Sequence, residues 1–205
     1  MQTSFTRRHA LGLLTIAGAL SVTAPVHAVD SGAQARTFVH DFGNKLVAIV
    51  NNDISLPQKK QQIEPLLEQN VDVDAIGRYC IGRYWRIATP EQQTHYLQLF
   101  HQVLVNAITD KIGDYRGVSF TVGPATPSGE DIAVSTVINR PGQPAANTEW
   151  VISSSSGAPK VVDVVGEGAS LRLTQRQDYS SYIARNGGNV DALLHALTKQ
   201  LANHH

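Results

Sequence analysis

The sequence predicts an α+β fold, in which helices come before and after an antiparallel sheet. Three features lead to this prediction. Up to about residue 112, apolar residues recur every three to four positions, as on helices that pack on a core. From residue 118 to 167 they alternate with polar residues, and Gly and Pro separate the runs, as in successive strands. Helical spacing then returns, and helices on both sides of a run of strands are typical of the α+β class.

The first predicted helix covers residues 35–51. Its apolar side chains recur at three- and four-residue steps: Phe38, Phe42, Leu46 and Ile49. A second helix is predicted to start at Ser55, which forms a capping box with Gln58. Pro65 is expected to limit that helix, because proline has no amide hydrogen and crowds the carbonyl of Gln61.

The middle of the chain predicts a helix, an aromatic linker and a long second helix. Asp72 is an N-cap residue in front of an apolar run. The linker covers residues 84–89, and Thr89 at its end is the N-cap of a helix over residues 90–112. Gly113 is the expected C-cap of this helix. Its wide apolar stripe consists of Tyr96, Leu97, Phe100, Val103, Leu104, Ala107 and Ile108.

Four strands are predicted in succession, at residues 118–122, 132–138, 148–152 and 160–167. Residues 123–129 are predicted as the turn between the first two. Strands that follow one another with short turns form an antiparallel meander. The sheet is therefore expected to be mostly antiparallel, with four strands or slightly more.

Two helices are predicted after the sheet. Thr174 and Gln177 fit a capping box at the start of the first, which ends at residues 186–188, Asn-Gly-Gly. Its inner face is predicted to carry Tyr179, Tyr182 and Ile183. Asn189 caps the last helix. The stripe of that helix is Leu193, Leu194, Leu197 and Leu201.

The first 28 residues have the pattern of a cleaved signal peptide. Arg7 and Arg8 precede an apolar run at residues 10–24 that is too short to span a bilayer, and a small-residue cleavage site ends at Ala28. We expect export to the periplasm by the general secretory pathway. The partial twin-arginine pattern and an uncleaved anchor are the alternatives.

Cleavage would leave 177 of the 205 residues, enough for one domain at residues 29–205. The whole chain has 17 basic and 17 acidic residues, and the signal peptide removes two basic ones. The remaining 15 basic and 17 acidic residues give no basic excess for binding nucleic acid. Cys80 is the single cysteine, and its helical position predicts a small buried hydrophobe.

The sequence contains no recognisable catalytic or metal-binding motif, so no metal and no cofactor are predicted. Asp72 and Asp74 form a carboxylate pair, but their place at a helix start is better explained by capping. Tyr84 and Trp85 fit a plain core role or a binding role. The two arginines beside them, Arg83 and Arg86, fit either solvated surface or contact with an anionic headgroup or partner.

Three pieces of sequence together resemble the MlaC-like family of periplasmic lipid carriers, also called toluene-tolerance auxiliary proteins. They are GRYWR at residues 82–86 with TPEQ at 89–92, VVDVVGEGASL at 161–171, and TQRQDY at 174–179. The last piece, with Asn-Gly-Gly at 186–188, is most similar to the hopanoid-associated HpnM branch. The resemblance covers nearly the whole chain after residue 28.

The resemblance implies a non-enzymatic shuttle in the periplasm. It implies that phospholipid, or hopanoid in the HpnM branch, moves between an outer-membrane lipoprotein or porin complex and an inner-membrane ABC transporter complex. It also implies helices on one face of a twisted antiparallel sheet, with acyl chains in the gap between them. From the helix stripe and the strand alternation we expect that pocket to be lined by Tyr79, Tyr84, Trp85, Leu104, Ile108, Val134, Val164, Tyr179 and Ile183.

Two other classes of protein fit the same pattern of elements. A cone-shaped α+β enzyme acting on an apolar small molecule would need an acid–base pair in its cavity, and Asp163 with Tyr179 or His101 are the candidates. A periplasmic interaction module without a ligand would need an exposed apolar patch.

Overall fold

The structure, a computed structural model, describes residues 26–203 of the chain, with side chains from residue 31 onward. The predicted signal peptide lies outside the described residues except for its last three positions. The structure confirms the α+β class, with helices before and after one antiparallel sheet. The α-helices are α1 (Val26–Asn51), α2 (Leu56–Asn70), α3 (Val73–Ile81), α4 (Pro90–Asp110), α5 (Leu171–Arg185) and α6 (Val190–Ala202). Two 3-10 helices cover Gly82–Arg86 and Ile112–Tyr115.

The sheet is an open antiparallel meander in the order β1-β2-β3-β4-β5. Its strands are β1 (Ser119–Ser128), β2 (Asp131–Asn139), β3 (Ala146–Ser153), β4 (Lys160–Gly166) and the short β5 (Ala169–Ser170). The four predicted strands are confirmed, and β5 adds the one extra strand for which the prediction left room. On the same edge of β4 as β5, but near the start of the strand, Val71 forms a single parallel bridge with Val161 and so connects the end of α2 to the sheet.

The helix α1 lies across β1 and β2, and its Gly43 faces the Phe120 ring of β1. A Cβ atom on that glycine would come within 2.3 Å of the Phe120 ring. Glycine at this position therefore allows the helix to pack directly on the strand. The helices α2, α3 and α5 pack on β4, while α4 packs on α6, α3 and α2.

Four predicted caps are confirmed. Ser55 and Thr89 each accept a hydrogen bond from the amide three residues on and form complete capping boxes. Asp72 accepts a hydrogen bond from the amide of Ala75 at 3.0 Å. Asn189 accepts one from the amide of Asp191 at 2.9 Å. These short polar side chains fix the helix starts because each satisfies an amide that has no partner inside its helix.

The prediction that Pro65 limits the second helix is wrong, because α2 continues through it to Asn70. A proline inside a helix costs about 3 kcal/mol. Three buried side chains on both sides of it, Ile63, Leu66 and Leu67, pack on the core and offset that cost.

The prediction of a turn at residues 123–129 is also wrong, because β1 runs on to Ser128. The pairing with β2 shifts between Val122 and Ala125, so Gly123 and Pro124 lie in an irregularity of the strand. Because β1 is an edge strand, a proline there removes no ladder hydrogen bond that the sheet needs. The turn itself is shorter, and Gly129 within it has a φ of 66°.

Three helix boundaries differ from the predictions. The first helix begins at Val26 and not at residue 35, since residues 26–34 have helical backbone without the apolar spacing. The long helix ends at Asp110 with Lys111 as its C-cap, and Gly113 lies in the following 3-10 helix. Helix α5 begins at Leu171, not near Thr174, because Ser170 at the end of β5 already caps it.

Candidate functional site

The sheet contributes a row of apolar side chains to the face that α1 covers. Val134 pairs with Trp150 across β2 and β3, and Trp150 pairs with Val164 across β3 and β4. Residues opposite each other in a ladder share a face of the sheet. Trp150 meets Phe42 of α1 edge to face at 5.7 Å, so this face points to the helices. Val134 is fully buried, while Val164 and Trp150 are half-buried.

Two predicted site residues lie one turn apart on α4. Leu104 and Ile108 are both half-buried and pack against the core. Gln102, on the opposite side of the same helix, is exposed. Incompletely buried apolar side chains on α1, α4 and the sheet are the candidate lining of an apolar site: Phe38, Leu46, Val103, Leu104, Ile108, Val122, Ile138, Trp150 and Val164.

A second group of predicted site residues lies where α3, the first 3-10 helix and α5 meet. The guanidinium carbons of Arg172 and Arg176 lie 4.8 and 4.7 Å from the centre of the Tyr79 ring. Arg176 also donates a hydrogen bond to the Tyr79 carbonyl at 3.3 Å. This arrangement combines cation–π attraction with a backbone contact. Tyr79 therefore joins α3 to α5.

Tyr84 and Trp85 belong to the 3-10 helix Gly82–Arg86. Tyr84 is buried, and its hydroxyl accepts a hydrogen bond from Arg83 at 3.0 Å. That hydrogen bond raises the pKa of Arg83. The carbonyl of Trp85 accepts a hydrogen bond from the side chain of Gln93 on α4 at 2.7 Å, while its indole is half-buried. The structure places Tyr84 in the core and leaves part of Trp85 accessible.

Tyr179 and Ile183 occupy the buried face of α5. The ring of Tyr179 meets Tyr96 and Phe100 of α4 edge to face, at 6.4 and 6.3 Å. Tyr96 is completely buried and donates a hydrogen bond to the carbonyl of Gly77 at 2.9 Å. Burial raises the pKa of both Tyr96 and Tyr179. These phenols are therefore neutral, and they form the aromatic core between α3, α4 and α5.

Asp163 in β4 is the centre of a buried polar network that the sequence did not reveal as such. Its Oδ1 accepts hydrogen bonds from the amides of Val164 at 2.8 Å and Arg172 at 3.0 Å. Its Oδ2 accepts one from the Ser170 hydroxyl at 2.5 Å and lies 3.5 Å from Nε of Arg172. The carboxylate thus holds the start of α5 on β4. Nearby, burial and then the charge of Asp163 raise the pKa of the Cys80 thiol to about 12.

The alternative acid–base pair is not assembled among the described side chains. Asp163 uses its two oxygens on β4, β5 and α5. His101 lies 2.9 Å from Asp74 instead. No hydrogen bond in residues 31–203 connects Asp163 to Tyr179 or to His101. The side chains proposed for catalysis therefore have structural partners in this fold.

Two surface depressions differ from the predicted pocket: of the predicted site residues, Tyr179 lines one of them and the others line neither. One, of about 560 Å³, lies mainly on the sheet face away from α1, between side chains such as Thr121, Ser135 and Glu149. The other, of about 430 Å³, lies between α5 and α6 and includes Tyr179. In residues 31–203, no three His, Cys, Asp or Glu side chains are grouped as a metal ion would require. No helix within residues 26–203 has the length and apolarity to cross a membrane.

An open antiparallel sheet with helices on its apolar face defines a class of α+β proteins to which this chain can be compared. The family model of the MlaC protein matches residues 40–199. That match covers more than half of the chain, and the chain therefore belongs to the MlaC family.

One relative and one solved structure agree with this assignment. The toluene tolerance protein ttg2D of Pseudomonas putida is 23% identical over 134 residues, which are 64% of this chain and 62% of that protein. This chain therefore matches less than two thirds of the relative's length. A phospholipid-binding protein from Ralstonia solanacearum, solved in complex with a phospholipid, is 21% identical and has a TM-score of 0.74. The similarity covers 82% of this chain and 97% of that one, so the two proteins share a fold.

Proposed function

We propose that this protein binds a lipid and carries it between membranes. The observation that carries the proposal is membership of the MlaC family over residues 40–199, together with the fold of a protein that was solved with a phospholipid bound. The chemistry of the described side chains is compatible with it. A carrier needs an apolar cavity and no catalytic group, and the acidic side chain considered for catalysis is used to hold α5 on β4.

The proposed lipid site lies between α4 and the apolar face of the sheet. Leu104 and Ile108 supply the helix side, and Val134 and Val164 the sheet side, with Trp150 between the two valines. Burial of each methylene contributes roughly 0.8 kcal/mol, so the acyl chains provide most of the gross binding free energy. The half-buried state of Leu104, Ile108 and Val164 supports the proposal, since these side chains are not fully covered by protein.

Five of the predicted site residues lie outside α4 and the sheet, and they also have a structural role. Tyr79, Tyr84, Tyr179 and Ile183 belong to α3, the 3-10 helix Gly82–Arg86 and α5, and Trp85 of that 3-10 helix is partly accessible. In the proposed site these five side chains form the wall at one end of the pocket. Their contacts with other helices support a structural contribution as well.

We also propose how the protein is processed and where it acts. Residues 1–28 are a signal peptide removed on export to the periplasm, and residues 29–205 form one lipid-binding domain. In the periplasm the protein exchanges its lipid with an inner-membrane ABC transporter complex and an outer-membrane lipoprotein or porin complex. The cargo is phospholipid, or a hopanoid if the chain belongs to the HpnM branch, and the motif at residues 174–179 is the feature that favours this branch.

Organic extraction of the purified mature protein, followed by mass spectrometry, tests this function. The proposal predicts lipid in a fixed ratio to protein after gel filtration, and the mass of the lipid distinguishes phospholipid from hopanoid. Protein that is folded by circular dichroism but contains no lipid, and takes up none from vesicles, would contradict the proposal.

A further inference from the structure

Three exposed aliphatic side chains lie on two segments that contact each other. Ile87 is 66% exposed, Leu171 59% and Leu173 44%. They are three of the five large apolar side chains that are exposed in residues 31–203; the others are Leu56 and Val137. Ile87 follows the 3-10 helix Gly82–Arg86, and the two leucines lie in the first turn of α5.

The two segments are neighbours in space. Helix α5 contacts the 3-10 helix, and the Arg176 guanidinium would lie 3.1 Å from a Cβ atom built on Gly82. The φ of Gly82 is +55°, a conformation that favours glycine, so the backbone itself makes room for the arginine. Leu173 precedes Arg176 by three residues and therefore lies on the same side of α5.

Basic side chains accompany these aliphatic ones. Arg83 and Arg86 are exposed beside Ile87, and Arg176 is half-buried on Tyr79. The ion pairs of residues 31–203 include Arg172 with Asp163 but none of these three arginines. We call the surface formed by Arg83, Arg86, Ile87, Leu171, Leu173 and Arg176 the arginine–leucine patch. Three of its six side chains are arginines and none is acidic, on a chain whose formal net charge is zero.

We propose that the arginine–leucine patch docks the protein on an anionic lipid bilayer. Exposed aliphatic side chains next to arginines are the composition of surfaces that bind in the membrane interface, where the charges meet lipid phosphates and the aliphatic groups enter the headgroup region. The half-buried indole of Trp85 in the same segment fits this interface, since tryptophan prefers it. The role in lipid exchange depends on the proposed function, whereas the docking itself does not.

Vesicle sedimentation tests this inference directly. The mature protein is mixed with vesicles of phosphatidylcholine alone or of equal parts phosphatidylcholine and phosphatidylglycerol. The patch predicts binding to the anionic vesicles and much weaker binding to the neutral ones. The binding is expected to weaken with salt, because the screening length falls from about 10 Å at 0.1 M to about 3 Å at 1 M.

Matched variants assign the binding to the patch. The Arg83→Ser/Arg86→Ser double variant and the Ile87→Ser variant are expected to lose affinity for anionic vesicles, by about tenfold or more for the two arginines. Arg36→Ser and Leu56→Ser are the controls, since both side chains are exposed elsewhere. Leu56 lies at the start of α2, one turn before Lys60. Lys60 donates a hydrogen bond to Asn106 in the C-terminal half of α4, about 24 Å along that helix from its first residue. Ile87 lies just before the first residue of α4, so Leu56 is far from the patch.

The outcomes separate this inference from the proposed function. Failure of the wild-type protein to bind anionic vesicles overturns the docking inference, as does equal loss of binding in the patch and control variants. In either case the patch would serve a protein partner or none. Wild-type protein that binds anionic vesicles through the patch but contains no lipid would contradict the proposed function and leave the docking inference standing.

Discussion

The rings of Phe42 and Trp150 meet edge to face, with centroids 5.7 Å apart and planes at 89°. This contact joins α1 to β3 at the centre of the sheet, next to Val134 and Val164. The indole Nε1 of Trp150 donates a hydrogen bond to the Thr136 hydroxyl at 3.1 Å, which fixes the orientation of the ring. The apolar face of the sheet is therefore held in place from the side of α1, independently of α4.

We expect Phe42→Ala to lower the free energy of unfolding by about 3–5 kcal/mol, because it removes a buried aromatic ring and leaves a cavity. Phe38→Ala is the matched control. Phe38 stacks on Phe42 at 6.0 Å but is only half-buried, so its loss is expected to be clearly smaller. Urea unfolding monitored by circular dichroism measures both. Similar losses for the two variants would show that the contact with Trp150 has no special weight.

The second prediction concerns alkaline pH. Burial raises the pKa of the Cys80 thiol from 9.0 to about 12, and burial also raises the pKa of Tyr96 and Tyr179 above their usual 10.0. The unfolded chain therefore releases these protons at a lower pH than the folded protein does. Their contribution to stability is full below pH 9 and is lost progressively as the pH rises towards the folded-state values.

The free energy of unfolding is thus expected to fall as the pH is raised from 9 to 12. Cys80→Ala should reduce the slope between pH 9 and 10, where the cysteine is the main group involved. Urea titrations at a series of pH values measure this dependence. A free energy of unfolding that is constant over this range would contradict the burial of these three groups.

Asp163 provides the third prediction. Asp163→Ala removes the acceptor of three hydrogen bonds and leaves Arg172 without its carboxylate. Loss of one partner of a buried pair costs about 3–5 kcal/mol. Asp178→Ala, an exposed aspartate on α5, is expected to change stability by no more than about 0.5 kcal/mol. Thermal unfolding measures the stability of both variants. Equal stability of the two would contradict the role of Asp163 in holding the start of α5 on β4.

Export provides the fourth prediction. Replacement of Arg7 and Arg8 by lysine keeps the positive charge that the general secretory pathway needs. Secretion of this variant is therefore expected to be unchanged, as measured by the mature protein in periplasmic extracts. Accumulation of precursor in the cytoplasm would instead show that the twin-arginine pathway exports this chain.

Much of the fold could be predicted because the local sequence signals and the tertiary packing favour the same helices and strands. Ser55, Asp72, Thr89 and Asn189 are caps with the right neighbours, and the alternating runs coincide with paired strands. The boundary errors arise where tertiary context decides. Pro65 is tolerated within α2 because buried side chains lie on both sides of it.

The candidate site was predictable only in part. The helix stripe predicts that Leu104 and Ile108 share a face of α4, and strand alternation predicts the face of the sheet on which Val134 and Val164 lie, because these patterns specify a face. That these faces bind lipid stays a prediction. The partners of Asp163 and the position of Trp150 opposite Val164 depend on strand register and on where α5 starts. Spacing along the chain specifies neither the strand register nor the first residue of α5. The contacts of Arg172 and Arg176 with the Tyr79 ring depend on the position of α5, so they could not be predicted either.

In the proposed site, lipid lies against Leu104. A glutamate at this position would have to be desolvated among acyl chains, which is costly. The decisive measurement is the amount of lipid extracted per mole of purified protein, with circular dichroism to establish that each variant is folded. We expect lipid in the wild type and in Gln102→Glu, which changes an exposed side chain of the same helix, and none in Leu104→Glu. Equal lipid in the wild type and in folded Leu104→Glu would contradict it.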